Sequence, residues 1–466
     1  MQLWREWWRW CAPLKDACAR NRTFLWMCVV LMAFCVRGDL WGVTSFIRAL
    51  GLDPLCYDRI LDFFHSPALD IQMLMRLWVD LVVSVHPGLV ECNGRPVVLV
   101  DGLKVARAGK KMPGVKRLHQ ESESNTKPTF IMGHSCQAAA ILVKGLNSVM
   151  ALPLAARIHE GAVFSNRDKR TLLDKMVLLL MDLKMKRPFT LVADAYYASK
   201  KVITPLLKKG CHLVTRVRQT AVGYLPAPIP EKKPKGRPKK YGEKVPIKSL
   251  FERDDLKQSI PSPVYGEQNV SIDFWSLDLL WRPVGILVRF VAVSHPTRGR
   301  ILLLSTDLTL APIDILRLYS YRFKIEVSFK SAIHVLGAFA YHFWMAQMTP
   351  ITRNAGNQYL HRKSKEYRDA VRRKLAAYHR YIQLGIIAQG ILVALATTVP
   401  HLVWSSYGSW LRTVRPGLCP SEATTASALQ NMLPHFLGAN SPDPDLAKFV
   451  QERLDLKQTQ AGRLAA

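Results

Sequence analysis

Acidic side chains are scarce in this chain. Its 466 residues hold 35 Asp and Glu against 65 Lys and Arg, a formal net charge of +30 with a pI near 9.9. An excess of that size, spread along the chain, implies a polyanionic partner. Cysteine lacks pairing patterns: there are nine, an odd number, and no Cys-x-x-Cys. No histidine pair stands at zinc-finger spacing either, which argues against a structural zinc and for reduced core thiols. Long uninterrupted apolar runs are missing too. Thr23–Cys35 covers only about 13 residues, short of the roughly 20 that a bilayer requires, and it lacks a well-placed signal-peptide cleavage site. Gln383–Trp404 is long enough, but Gln383, Gln389, Thr397, Thr398 and Pro400–His401 interrupt it, so a buried helix is expected and no membrane partner. What remains is 49% hydrophobic and 21% charged residues, the profile of a globular protein of roughly two to four domains.

Residues 1–92 read as helical. Within about 42–65, a short helix, the Gly51 turn and a second helix behind Asp53 and Pro54 have helix-turn-helix spacing, a candidate DNA-end-binding element; an ordinary helical hairpin is the alternative. From 96 to 218 strands alternate with helices: Val97–Val100, Gly133–Val143 as one or two strands, a helix over Arg170–Lys184, then Phe189–Ala193, a helix over Lys200–Lys209, and His212–Val217. This mixed pattern predicts an α/β sheet with helices on its faces. Residues 219–299 form a β-rich insertion that opens with the Pro- and Lys-rich Gly223–Tyr241. Residues 300–345 return to the sheet and continue as one helix over Ile313–Leu336, and 346–466 is a helical, initially very basic C-terminal region.

Three carboxylates stand out. Asp101 and Asp194 each end an apolar strand, where a side chain projects rigidly into the crevice beyond the sheet. Glu326 lies on the Ile313–Leu336 helix with Tyr319 and Arg322, at offsets that return to one face. Carboxylate oxygens suit Mg²⁺, and two such ions stabilise charge in phosphodiester transfer. Taken singly, each has a plainer reading: a turn at Asp101, a helix cap at Asp194, and a solvated Glu326–Lys330 pair.

Together, Asp101, Asp194 and Tyr319-x-x-Arg322-x-x-x-Glu326 resemble the DDE-type cut-and-paste transposases of bacterial insertion sequences, in the subgroup with a β-strand insertion before the glutamate. The stretches from Asp101 to Gly114 and from Ser122 to Pro128 look typical of that subgroup. The resemblance implies an RNase H-like catalytic core interrupted by a β-rich insertion, with helical N- and C-terminal flanks. It implies Mg²⁺ as cofactor, two ions with Mn²⁺ able to substitute, held by Asp101, Asp194 and Glu326. It also implies strand cleavage and transfer of a freed 3′-hydroxyl, with double-stranded DNA as partner (terminal inverted repeats and target) and a homodimer in the synaptic complex. A cytoplasmic, nucleoid-associated bacterial location follows. Tyr319 and Arg322 would hold the phosphate backbone. The subgroup's lysine seven residues after the glutamate is replaced by Ile333, so Lys330 or His334 is the substitute. Lys104, Arg107, Lys110 and Lys111 supply further phosphate contacts, and Arg237, in Lys235-Gly-Arg-Pro-Lys-Lys240, has the form of a minor-groove hook. Trp275 and Trp281 are candidates to stack on a displaced base, with packing in the insertion as the alternative. An inactive DNA-binding relic of such an enzyme, or a basic membrane-associated protein, are the rival functions.

Overall fold

Four consecutive side chains, Val97 to Val100, are wholly buried, as a strand covered on both faces requires. They form the first half of strand β1 (Arg95–Ala106) in the computed structural model, which describes residues 2–40, 42–120, 128–229, 236, 238–264, 266–408, 413–438 and 443–455. The chain divides into two compact units. One comprises residues 1–90, 102–186 and 326–466, and the other 91–101 and 187–325. Strand β1 runs through the boundary and has a half in each.

In the first unit, the later half of β1 neighbours β2 (Phe130–Gly145), which pairs antiparallel with β3 (Ser148–Ile158). Gly133 lies against the Val105 carbonyl and Gly102 against that of Cys136, so β1 and β2 run in opposite directions. In the second unit, β1 pairs in parallel with β4 (Thr190–Ala193), and β4 in parallel with β5 (His212–Arg216). The strand order β3-β2-β1-β4-β5 is RNase H-like, and the fold is mixed α/β with helical flanks. Beyond β5 stands an antiparallel meander: β6 (Ser271–Trp281), β7 (Ile286–His295) and β8 (Gly299–Ser305), with β8 against β5.

Helices fill the rest of the first unit. Asn21–Val36 is buried at every position from Phe24 onward, which explains an apolar run too short for a membrane. The Lys365–Thr398 helix changes character along its length. Its first turns carry exposed Lys365, Arg372 and Arg373, whereas Arg380 to Ala396 are buried without a break. By length and composition it could cross a bilayer, yet 89% of its most apolar window is buried within the structure. Several of its polar groups are matched there: Gln383 donates to the Leu154 carbonyl and accepts from Arg157, and the Gln389 amide donates to the Ser328 carbonyl. Gly390 lets Trp78 approach so closely that a Cβ would sit 2.3 Å from the indole.

The turn between the Thr44–Leu50 and Cys56–His65 helices uses Gly51 at φ 61°. Asp53 does not cap the second helix as expected. Its carboxylate accepts from Leu55 N–H at 2.8 Å, two residues early, because the chain makes one more turn before Cys56. That turn is tied down by Asp53 N–H to the Arg453 carbonyl and Asp455 N–H to the Gly51 carbonyl.

Gly161 holds a second close crossing. Its φ is +94°, and a Cβ there would lie 1.9 Å from the Gly114 carbonyl oxygen. Backbone on both sides cannot move aside as a side-chain tip can. Gly161→Ala should therefore destabilise the first unit by more than about 2 kcal/mol. A chemical-denaturation midpoint equal to that of the unmodified protein would show that the crossing relaxes freely.

Candidate active site

The parallel register pairs Val97 with Thr190 and Leu99 with Val192. Carried forward two residues, it brings Asp101 level with Asp194. Adjacent strands lie about 4.8 Å apart, so carboxylates on level positions of neighbouring strands come within reach of one shared cation. Both carboxylates are half-buried. Asp194 ends β4 and caps the short 3₁₀ turn Ala195–Tyr197, its Oδ1 accepting from Tyr196 N–H at 3.0 Å. The Thr215 hydroxyl donates to the Asp194 carbonyl at 2.7 Å, which fixes the strand end against β5.

Two phenols sense both carboxylates. Tyr197 is 3% exposed, and burial, then the charges of Asp101 and Asp194, push its pKa well up. Burial also raises that of Tyr319; Arg322 and Arg216 oppose the rise, and Asp194 and Asp101 add to it. Both phenols therefore keep their protons at neutral pH. Arg322 Nη1 lies 3.3 Å from Asp101 Oδ2, so a guanidinium already stands where a cation would meet that carboxylate.

The single helix expected over Ile313–Leu336 is instead two, Pro312–Ser320 and Lys324–His334. Between them Arg322 N–H bonds to the Tyr319 carbonyl, Lys324 N–H to that of Tyr321, and Ile325 N–H to that of Arg322. These i to i+3 bonds wind the chain at three residues per turn, so Tyr319 and Arg322 still share a side, whereas the 3.6-residue stacking through to Glu326 does not hold. Glu326 is exposed in the first turn of the second helix, where the helix dipole favours its charge. It is the first residue of the chain's last segment in the first unit, whereas Asp101, Asp194, Tyr319 and Arg322 belong to the second. Among the described residues, no group of three or more His, Cys, Asp or Glu converges as a metal site.

Of the basic candidates, Lys330 and Lys110 are exposed. Lys104 donates to the His119 carbonyl at 2.6 Å and Lys111 to that of Ala346 at 3.0 Å. Arg107 lies over the Tyr341 ring, 4.2 Å from its centroid. Ile333 is half-buried and His334 exposed. Arg237 and the stretch from Ser122 to Lys127 lie outside the described residues. Trp275 and Trp281 are 4% and 7% exposed. Trp275 packs edge-on against Phe251 at 5.2 Å, so both indoles belong to the packing of the meander and neither presents an open ring face for a base.

Sequence reasoning missed Tyr197, Arg216 and Thr215. The Asp194-Ala-Tyr-Tyr motif showed two tyrosines but not which one turns inward. The 3₁₀ turn decides it, leaving Tyr196 51% exposed.

Residues 24–266 match the family model described as DDE superfamily endonuclease, over half of the chain and including Asp101 and Asp194. A search of the curated proteins finds no match. Among solved structures the chain is similar to the piggyBac transposase in a synaptic complex with hairpin DNA, at 13% identity and a TM-score of 0.35; the alignment covers 94% of this chain and 77% of that one.

Proposed function

We propose that this chain, which belongs to the DDE superfamily of endonucleases, is a DNA transposase that binds terminal inverted repeats and carries out strand cleavage and strand transfer. The observation that carries this reading is the register that sets Asp101 level with Asp194, with Arg322 on Asp101. The donor set fits Mg²⁺, or Mn²⁺ in its place, since such an ion is commonly held by one or two carboxylates and completed by substrate phosphates and water. Asp101 and Asp194 would hold it. Glu326 is proposed as the third carboxylate from its place in Tyr319-x-x-Arg322-x-x-x-Glu326. When bound, the metal lowers the pKa of water and neutralises charge on the phosphate.

The chain's own residues do the positioning. The Asp194 cap and the Thr215 hydroxyl hold one strand end still. Arg322 Nη1 contacts Asp101 Oδ2 at 3.3 Å, and its planar fork of donors suits a phosphate's oxygens as well as a carboxylate's. The protonated phenol of Tyr319, half-buried, can donate to a phosphate oxygen without adding charge. Lys330 is the proposed replacement for a contact at Ile333. The helices flanking Gly51 are proposed to meet the element's ends, with a homodimer pairing two ends.

The test is incubation with Mg²⁺ and a duplex carrying short inverted repeats taken from the DNA that flanks this reading frame. Nicks that leave a 3′-hydroxyl at the repeat boundary are expected, and binding should weaken steeply with salt. Six to ten phosphate contacts would lower affinity by about 10³–10⁵ between roughly 50 and 200 mM salt. Salt-sensitive binding without cleavage in either Mg²⁺ or Mn²⁺ would identify a catalytically silent relic. Absence of binding would sink the proposal.

A further inference from the structure

Between residues 106–112 and 342–350 of the first unit lies a cavity of about 660 Å³, lined by Arg107, Lys110, Met112, His342, Trp344 and Pro350. A second cavity of about 640 Å³ shares Arg107, Lys110 and Pro350 and adds Arg353. Such volumes suit a small organic group and not a duplex. The walls are held in place by three hydrogen bonds: Met345 N–H to the Lys111 carbonyl at 3.1 Å, Ile351 N–H to the Lys110 carbonyl at 2.7 Å, and Lys111 Nζ to the Ala346 carbonyl at 3.0 Å.

Two features are unusual for a folded surface. Trp344 is 62% exposed, an indole face held out by a loop that is otherwise tied down. The Arg107 guanidinium lies on the face of Tyr341, and its Nε and Nη2 are buried with no hydrogen-bond partner among the described residues. That fixes a positive charge behind the cavity, with exposed Lys110 and Arg353 at its margins. An aromatic face beside fixed and mobile cations is the chemistry that single-stranded nucleic acid uses, with base stacking on a ring and phosphates on Lys and Arg.

We propose that this cavity receives one unpaired nucleotide of a DNA strand, its base against Trp344 and its phosphates against Lys110 and Arg353. The proposal rests on DNA being the partner and assigns the aromatic contact to Trp344 of the first unit, in place of the buried Trp275 and Trp281. The probes are a short fluorescein-labelled single strand and its duplex, followed by anisotropy on the full chain. Trp344→Ala should weaken single-strand binding about tenfold or more and leave duplex binding within about twofold, because an exposed indole contributes little to the fold. Trp344→Phe should retain most of the single-strand affinity, since the ring face survives. Unchanged single-strand binding by Trp344→Ala, with the duplex still bound, would overturn the cavity assignment alone. Binding of neither probe by the unmodified chain would remove the DNA reading and this one with it. Free dTMP lacks the neighbouring phosphates; competition from it as strong as from the strand would also overturn the assignment.

Discussion

Asp194→Ala should reduce metal-dependent strand cleavage by about a thousandfold or more while leaving end binding within about twofold, since a metal ion's contribution is several kcal/mol and each 1.36 kcal/mol is tenfold in rate. Asp194 has a second duty as cap of the Ala195–Tyr197 turn, and losing a cap costs about 1 kcal/mol of stability. The two duties separate in Asp194→Asn, which keeps a side-chain oxygen for Tyr196 N–H but not the charge. It should match the alanine variant in cleavage and the unmodified chain in thermal unfolding. Normal cutting by either variant, scored as nicked product per bound duplex, would remove Asp194 from the chemistry.

The second large effect is acid lability of the first unit. Four histidines there are held as neutral rings, His86 and His134 buried and His159 and His379 half-buried. Burial holds His134 and His379 down at about 3, and His86 and His159 at about 4. The hydrogen bonds agree: Ile158 N–H donates to His379 Nε2 at 3.2 Å and Gly88 N–H to His86 Nδ1 at 3.1 Å, so both nitrogens are lone-pair acceptors. His134 Nε2–H donates to the Pro113 carbonyl at 2.9 Å, and its Nδ1 accepts from the Tyr341 hydroxyl. The unfolded chain takes up protons below about pH 6.5 and the folded one does not until near 3–4, so stability falls as pH drops through that window. Each ring contributes about 1.4 kcal/mol per pH unit, or about 2 kcal/mol by about pH 5. Four together approach the whole stability of an ordinary domain. Denaturant midpoints should fall steeply between about pH 7 and pH 5; a flat profile would mean that water and protons reach these rings in the folded state.

Much of the site was legible because its parts are local. An apolar run ending in Asp reads as a strand end, and Val97–Val100 and Phe189–Ala193 were visible in that way. Tyr319, Arg322 and Glu326 were visible by spacing. The helix break at 321–323 was not, because a stretch wound with i to i+3 bonds leaves the apolar pattern on either side unchanged. Trp275 and Trp281 looked available because an indole in a strand can face either way. In the paired β6 and β7 both are buried, and Trp275 packs on Phe251.

The sequence by itself determined the charge that calls for a polyanion, the carboxylates at two strand ends, and the helical character of both flanks. These follow from residue type and near neighbours. Only the tertiary structure decided that Asp101 and Asp194 come level, that Tyr197 and not Tyr196 faces them, and that Trp344 is left exposed. Such outcomes depend on the register of strands distant in the chain and on which faces are covered. Composition and local periodicity carry neither.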